Sequence, residues 1–131
     1  MGLNPKIWGR EGWRFIHFVA VTYHPSKQEA YREFFQNLPD ILPCPVCGEH
    51  FRSNMEKHPP NFKDAKSLFK WTVDMHNLVN LENGKPKYSY KEAFNDLNAS
   101  KPKNLDYLNA VLFSLTIASV VLLLSKKLYK K

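Results

Sequence analysis

The sequence predicts an all-α protein: a four-helix bundle with a short fifth helix, followed by a C-terminal transmembrane helix. Two observations carry the fold class: nine prolines fall mostly between candidate helices, and β-branched residues form no alternating run before residue 110. A third sets the scale, because 131 residues leave room for one small domain of roughly 100 residues and argue against a second.

The helices follow in order from their start and stop signals. Asn4 before Pro5 is an N-cap with proline at the first helical position, and Ile7, Trp8, Phe15, Ile16, Val19 and Tyr23 form the stripe of a first helix that ends near His24-Pro25. Ser26 is the candidate cap of the second helix, which runs through Ala30, Tyr31, Phe34, Phe35 and Leu38 until Pro39 and Pro43 interrupt the chain. The third begins at Cys44-Pro45-Val46-Cys47 and ends before His58-Pro59-Pro60. Asp64 or Ser67 starts the fourth, carrying Leu68, Phe69, Trp71, Val73, Met75, His76 and Val79 to a stop at Asn83-Gly84. Ser89 and Glu92 have capping-box spacing for a short fifth helix ending around Leu97. Short connections favour antiparallel neighbours.

This divides the chain into a folded domain at 1–97, a polar linker at 98–104, a transmembrane helix at 105–125 and a basic tail at 126–131. From Tyr107 to Leu124 no charged residue appears, and with Leu105 and Leu128 at its edges the segment reaches the ~20 residues of a bilayer span. Tyr107 and Tyr129 fall where interfacial aromatics sit. Of the net charge of +7, Lys126, Lys127, Lys130 and Lys131 supply four at the extreme C-terminus. The remaining +3 is ordinary, so nucleic acid is not an expected partner.

A single-pass protein with a C-terminal anchor is therefore expected. No cleavable signal peptide is expected, because Met1-Gly2-Leu3-Asn4-Pro5 opens directly into a helix. Two orientations stand: the positive-inside rule puts the lysines in the cytoplasm and the domain on the far side, whereas a tail anchor leaves the domain in the cytosol.

Cys44 and Cys47 are the only two cysteines. Two thiols at that spacing close on each other within one helical turn, and a helix start lowers their pKa by stabilising the thiolate. Redox chemistry and a pair of inert buried thiols both fit the motif taken alone. On the fourth helix, His76 and Asn80 stand four apart on one face, and Asn77 and Asn80 three apart; Trp13 and His17 repeat the four-residue spacing on the first. Aromatic walls with amide and imidazole edges suit a planar, hydrogen-bonding ligand.

Gly9-Arg10-Glu11-Gly12-Trp13-Arg14-Phe15-Ile16-His17, the proline-flanked Cys44-Pro45-Val46-Cys47, His58-Pro59, Trp71, and His76-Asn77-Leu78-Val79-Asn80 ending in Gly84-Lys85-Pro86-Lys87-Tyr88 resemble the Erv/ALR family of FAD-linked sulfhydryl oxidases. The likeness is greatest to the minimal members found in large DNA viruses. It implies a helical bundle that holds FAD beside the cysteine pair, an enzyme that oxidises thiols with O2 to give H2O2, and a place in a viral disulfide-forming pathway. Gly9, Arg10, Trp13, His17 and Tyr23 would line the cofactor from the first helix. His76, Asn77, Val79, Asn80, Lys85 and Tyr88 would hold its adenine, ribose and phosphates. Cys47 would pass electrons to FAD and Cys44 would meet the substrate thiolate. The resemblance also implies a homodimer through the first two helices.

Tyr90 stands where many members of the family carry a structural cysteine, Asn83 stands where leucine is common, and the match fades beyond Phe94. With no second cysteine pair to relay electrons, the substrate must reach Cys44 directly, which points to a small dithiol protein such as a thioredoxin-like carrier. Three other chemistries use some of the same residues. A thioredoxin-like reductase needs strands around the motif, and none is readable. A zinc module of Cys44, Cys47, His50 and His58 fits no common four-ligand spacing, so no metal is expected. A membrane-anchored adaptor with inert cysteines is the non-enzymatic alternative.

Overall fold

The computed structural model describes residues 2–99, 111–117 and 119. Five α-helices and one 3-10 turn lie between Pro5 and Asn98: α1 Pro5–Val21, the turn Pro25–Lys27, α2 Gln28–Ile41, α3 Pro45–Lys57, α4 Ala65–Glu82 and α5 Tyr90–Asn98. No strand occurs among the described residues. The chain separates into two units, Met1–Asn98 and Ala99–Lys131.

Local hydrogen bonds explain most of the boundaries. Asn4 accepts from the Lys6 N–H at 3.0 Å, and Asp64 from the Ser67 N–H at 2.7 Å. Ser89 and Glu92 exchange both bonds of a capping box, with Glu92 accepting from the Ser89 N–H at 2.8 Å and Ser89 Oγ from the Glu92 N–H at 3.2 Å. Gly84 terminates α4 with φ of 64°, a backbone conformation that costs a β-carbon-free residue nothing.

Two expectations about α2 are corrected. It does not stop at Pro39 but runs through it to Ile41, and Pro39 is buried. Proline stands there in the last turn, where its missing N–H removes one helical bond near an end that is already giving out. Nor does Ser26 cap α2. His24 Nδ1 accepts from the Ser26 N–H at 3.3 Å and caps the 3-10 turn instead, which hands the chain to α2 without a side-chain cap.

In the first unit, α1 packs along α4, α2 against α3, and α5 lies against both α1 and α4. The apolar positions meet at helical spacing: Ile16 and Ala20 from α1, Phe35 and Leu38 from α2, Phe51 from α3, Leu68, Phe69, Trp71, Val73 and Met75 from α4, Ala93 and Leu97 from α5. Burial of the larger of these, the leucine, isoleucine, valine, methionine and phenylalanine side chains, stabilises by about 1.5–3 kcal/mol each. Polar tips are tied off, with Trp71 Nε1 donating to the His58 carbonyl at 2.7 Å and Tyr23 Oη to the Phe62 carbonyl at 2.8 Å.

In the second unit, residues 111–117 are helical with Leu112, Phe113, Leu115 and Ile117 exposed. Among the described residues no helix is long and apolar enough to cross a membrane. The expected span at 105–125 falls mostly outside the described residues, as do most of the linker at 98–104 and all of the tail at 126–131.

Candidate functional site

Cys44 and Cys47 form a disulfide at the start of α3. Cys44 is the N-cap and Pro45 the first helical residue, so Cys44 Sγ takes the place of a capping oxygen and accepts from the Cys47 N–H at 3.2 Å. That bond and the helix N-terminus favour negative charge on Cys44 Sγ once the disulfide opens. The pair is held from both sides. Gly48 presses on the Pro39 carbonyl of α2, which brings the end of α2 onto the start of α3. From the other side the Leu3 N–H donates to the Pro43 carbonyl at 2.6 Å, and Trp8 Nε1 holds the Leu3 carbonyl at 3.4 Å. A β-carbon on Gly2 would stand 2.8 Å from Pro45 Cδ and 3.4 Å from the Cys44 Cα, so this N-terminal arm lies directly against the redox loop.

Cys47, and not Cys44, opens on a narrow apolar slot of about 70 Å³ whose walls include Gly9, Trp13, Phe51 and Val79. Gly9, Trp13 and Val79, three of the expected cofactor residues, thus share a cavity with one sulfur of the disulfide. Trp13 then lies flat on His76, with ring centroids 4.5 Å apart and planes 7° from parallel. That stack joins the slot to a second opening, a cleft of about 490 Å³ in which Arg10, His17, His76, Asn80, Lys85 and Tyr88 all take part. Six further expected residues are therefore gathered in one place from α1, α4 and the loop after α4.

The cleft is basic. Arg10, Arg14, Lys85 and Lys87 face only Glu92 and Asp96 there. Arg10 is paired with Asp96 at 3.6 Å, whereas Arg14 Nε is buried with no hydrogen-bond partner. Arg14 was not among the residues singled out from sequence, although Arg10, Arg14 and His17 follow each other at four and three positions, the spacing of one helical face. Asp96 was missed as well. Burial raises the Tyr88 pKa, and the neighbouring Asp96 raises it further.

At the cleft floor His17 Nε2 stands 3.3 Å from His76 Nδ1, and His17 Nδ1 stands 2.9 Å from Thr72 Oγ1. Both imidazoles are held neutral. Burial lowers the His17 pKa to about 4, with His76 adding to the shift, and burial with the Lys85 ammonium lowers His76 to about 4.

Two expected residues serve elsewhere. Asn77 spends its amide on the Tyr88 backbone, donating to the Tyr88 carbonyl at 2.9 Å and accepting from the Tyr88 N–H at 2.7 Å, and so folds the loop after α4 back over the cleft. Tyr23 is buried beyond the end of α1 against Tyr31 and Phe62, and lines neither the slot nor the cleft. A larger opening of about 740 Å³ lies along α4 between His58 and Tyr90; it shares Lys87 and Tyr88 with the cleft but holds neither cysteine nor the histidine pair. The chemistry therefore points to the slot and cleft. Together they suit a flat, polyanionic ligand with one end against Cys47 and its charge among the arginines and lysines.

The sequence pattern of the Erv1 / Alr family matches residues 10–99, and so extends past Phe94, where the resemblance had faded. The "Probable FAD-linked sulfhydryl oxidase R368" of Acanthamoeba polyphaga mimivirus is 35% identical over 98 residues, covering 70% of this chain and 68% of its own length. The "FAD-linked sulfhydryl oxidase" of African swine fever virus (isolate Pig/Kenya/KEN-50/1950) is 30% identical over 104 residues, covering 76% and 87%. Among solved structures, the FAD binding domain of Erv1 from Saccharomyces cerevisiae superposes with a TM-score of 0.68 at 22% identity, over 76% of this chain and 99% of that one. That similarity is one of fold.

Proposed function

The chain belongs to the Erv1 / Alr family, and from that premise we propose that it is an FAD-dependent sulfhydryl oxidase that makes disulfides in dithiol proteins and delivers the electrons to O2. The observation that carries this reading is the exposure of Cys47, inside a helix-capped disulfide, to the slot formed by Trp13 and Val79 beside the basic cleft.

The residues present fit FAD. The buried, unpartnered Arg14 Nε and the excess of cations over carboxylates suit its pyrophosphate, and Trp13 in the wall of the slot and His76 in the wall of the cleft offer aromatic surface to its ring systems. Arg10, Arg14, His76, Asn80, Lys85 and Tyr88 would hold it from the cleft, and Gly9, Trp13 and Val79 from the slot. When bound, FAD supplies a two-electron acceptor for the dithiol that can be reoxidised by O2.

The protein's own part is thiol exchange. A substrate thiolate attacks Cys44 Sγ, the Cys44–Cys47 bond breaks, and Cys47 leaves as a thiolate. The second substrate thiolate then attacks the substrate sulfur of the mixed disulfide and expels Cys44, whose thiolate is stabilised by the Cys47 N–H and the start of α3. Overall the substrate loses two electrons and two protons, and O2 gains both as H2O2. Cys44 and Cys47 are the only cysteines in the sequence, which favours a substrate that docks at Cys44 itself, a small carrier of the thioredoxin-like kind.

Two further elements belong to the same reading. The uncharged run from Tyr107 to Leu124, the lysines after it and the exposed Leu112, Phe113, Leu115 and Ile117 support a single-pass anchor in a host or virion membrane. Ile7, Phe15 and Phe18 are exposed together on one face of α1, around the single charge of Glu11, which supports a homodimer through α1 and α2.

Purified protein tests the core of the proposal. It should be yellow and consume O2 with a model dithiol, and Cys44→Ser and Cys47→Ser should each lower turnover by at least about a hundredfold. Full turnover in either variant overturns the assignment.

A further inference from the structure

The hydrogen bonds beneath the cleft run in one direction. The Phe69 carbonyl can only accept, and Thr72 Oγ1 donates its single proton there at 2.7 Å. Thr72 Oγ1 therefore has only lone pairs left for His17 Nδ1 at 2.9 Å, so His17 carries its proton on Nδ1 and donates. A neutral His17 then has a bare Nε2. At 3.3 Å from it, His76 Nδ1 must be the donor, which leaves a neutral His76 with a bare Nε2 in turn. Two imidazoliums at this distance would repel each other, and burial opposes charging either ring.

We infer that Thr72, fully buried and outside the cleft, is a positioning residue that fixes the tautomers of His17 and His76, so that the cleft offers its ligand an imidazole hydrogen-bond acceptor at His76 Nε2. The proton order comes from one hydroxyl with one proton and one carbonyl with none to give. The ligand group recognised is an N–H donor on a flat heterocycle, and this part rests on the cofactor reading above. A cleft whose other polar side chains are mostly cationic donors gains from it a way to tell an amine-bearing ring from a carbonyl-bearing one.

Nitrogen NMR of the purified protein with labelled histidine, carrying whatever flavin it retains, reads the tautomers directly. In the wild type both rings should show a protonated Nδ1 and a bare Nε2, the minority form of free histidine in water. Thr72→Val keeps the branched shape but removes both the acceptor for His17 and the donor to the Phe69 carbonyl. His17 should then move its proton to Nε2, His76 should accept at Nδ1 and display an Nε2 proton, and flavin should bind about tenfold more weakly. Thr72→Ser should restore both tautomers and affinity. Nε2-protonated rings in the wild type overturn the inference. So do unchanged tautomers in Thr72→Val, and the wild-type spectrum decides even if that variant fails to fold. A colourless wild type whose rings are nonetheless Nδ1-protonated upholds the role of Thr72 and overturns the cofactor reading instead.

Discussion

Gly48 touches the backbone of Pro39 so closely that a β-carbon on Gly48 would collide with the Pro39 carbonyl oxygen. The contact joins the end of α2 to the first turn of α3, one residue after Cys47. Neither partner can yield easily, because both are backbone, and Pro39 has no rotatable φ.

Gly48→Ala should therefore destabilise by about 1–3 kcal/mol, against a helix propensity that favours alanine. Thermal unfolding should show a Tm lowered by roughly 4–20 °C for a domain of this size. An unchanged or higher Tm would mean that the two helices separate without cost.

Arg14 gives a prediction of the opposite kind. Its buried Nε has no hydrogen-bond partner, and its guanidinium lies 5.4 Å from the centre of the Phe18 ring, a contact worth about 0.5–1 kcal/mol, so Arg14→Leu should change the stability of the flavin-free protein by no more than about 1 kcal/mol. The same change should weaken flavin binding roughly tenfold or more, the worth of a charge-assisted hydrogen bond. Flavin retained on repeated ultrafiltration measures this, and undiminished retention would remove Arg14 from the site.

The histidine pair sets a pH dependence. Both folded-state pKa values are lowered from 6.5 to about 4, so between those limits the unfolded chain binds more protons than the folded one. Stability is thus complete above about pH 6.5 and falls as the pH drops toward 4. The capping carboxylates Asp64 and Glu92 have lowered pKa values too, but their contribution is lost only as pH falls from their ordinary values of 3.8 and 4.5. At pH 5–6 the loss should belong to the histidines. Chemical unfolding at pH 7 and pH 5 should show it in the wild type and a smaller difference in His17→Gln.

What was legible in the sequence was short in range. Asn4, Asp64, Ser89 with Glu92, and Gly84 each act on backbone within four residues, and each marks the helix end expected of it. Pro5 and Pro45 mark helix starts as expected, but Pro39 misleads, because it is tolerated through its place in a last turn packed on α3, a tertiary fact. The cysteines, Trp13 and the histidines stood out by type and spacing. Asn77 stood out for the same reason but is used on the Tyr88 backbone, and Tyr23 on the Phe62 carbonyl. An isolated sequence does not say whether an amide or hydroxyl is spent inside the fold or offered to a ligand. Arg14 is the converse case, its importance visible only once its Nε is found buried and unpaired.

The docking of Gly2 and Leu3 on Pro43 and Pro45 gives the leading end of the domain an address. Anything joined ahead of Gly2, whether a natural extension or a purification tag, sets out from beside Cys44. A disordered tag there would crowd the sulfur that the proposed mechanism offers to substrate. A tethered segment bearing its own thiols would hold them at high local concentration over the disulfide, and would turn an encounter between two proteins into a reaction within one.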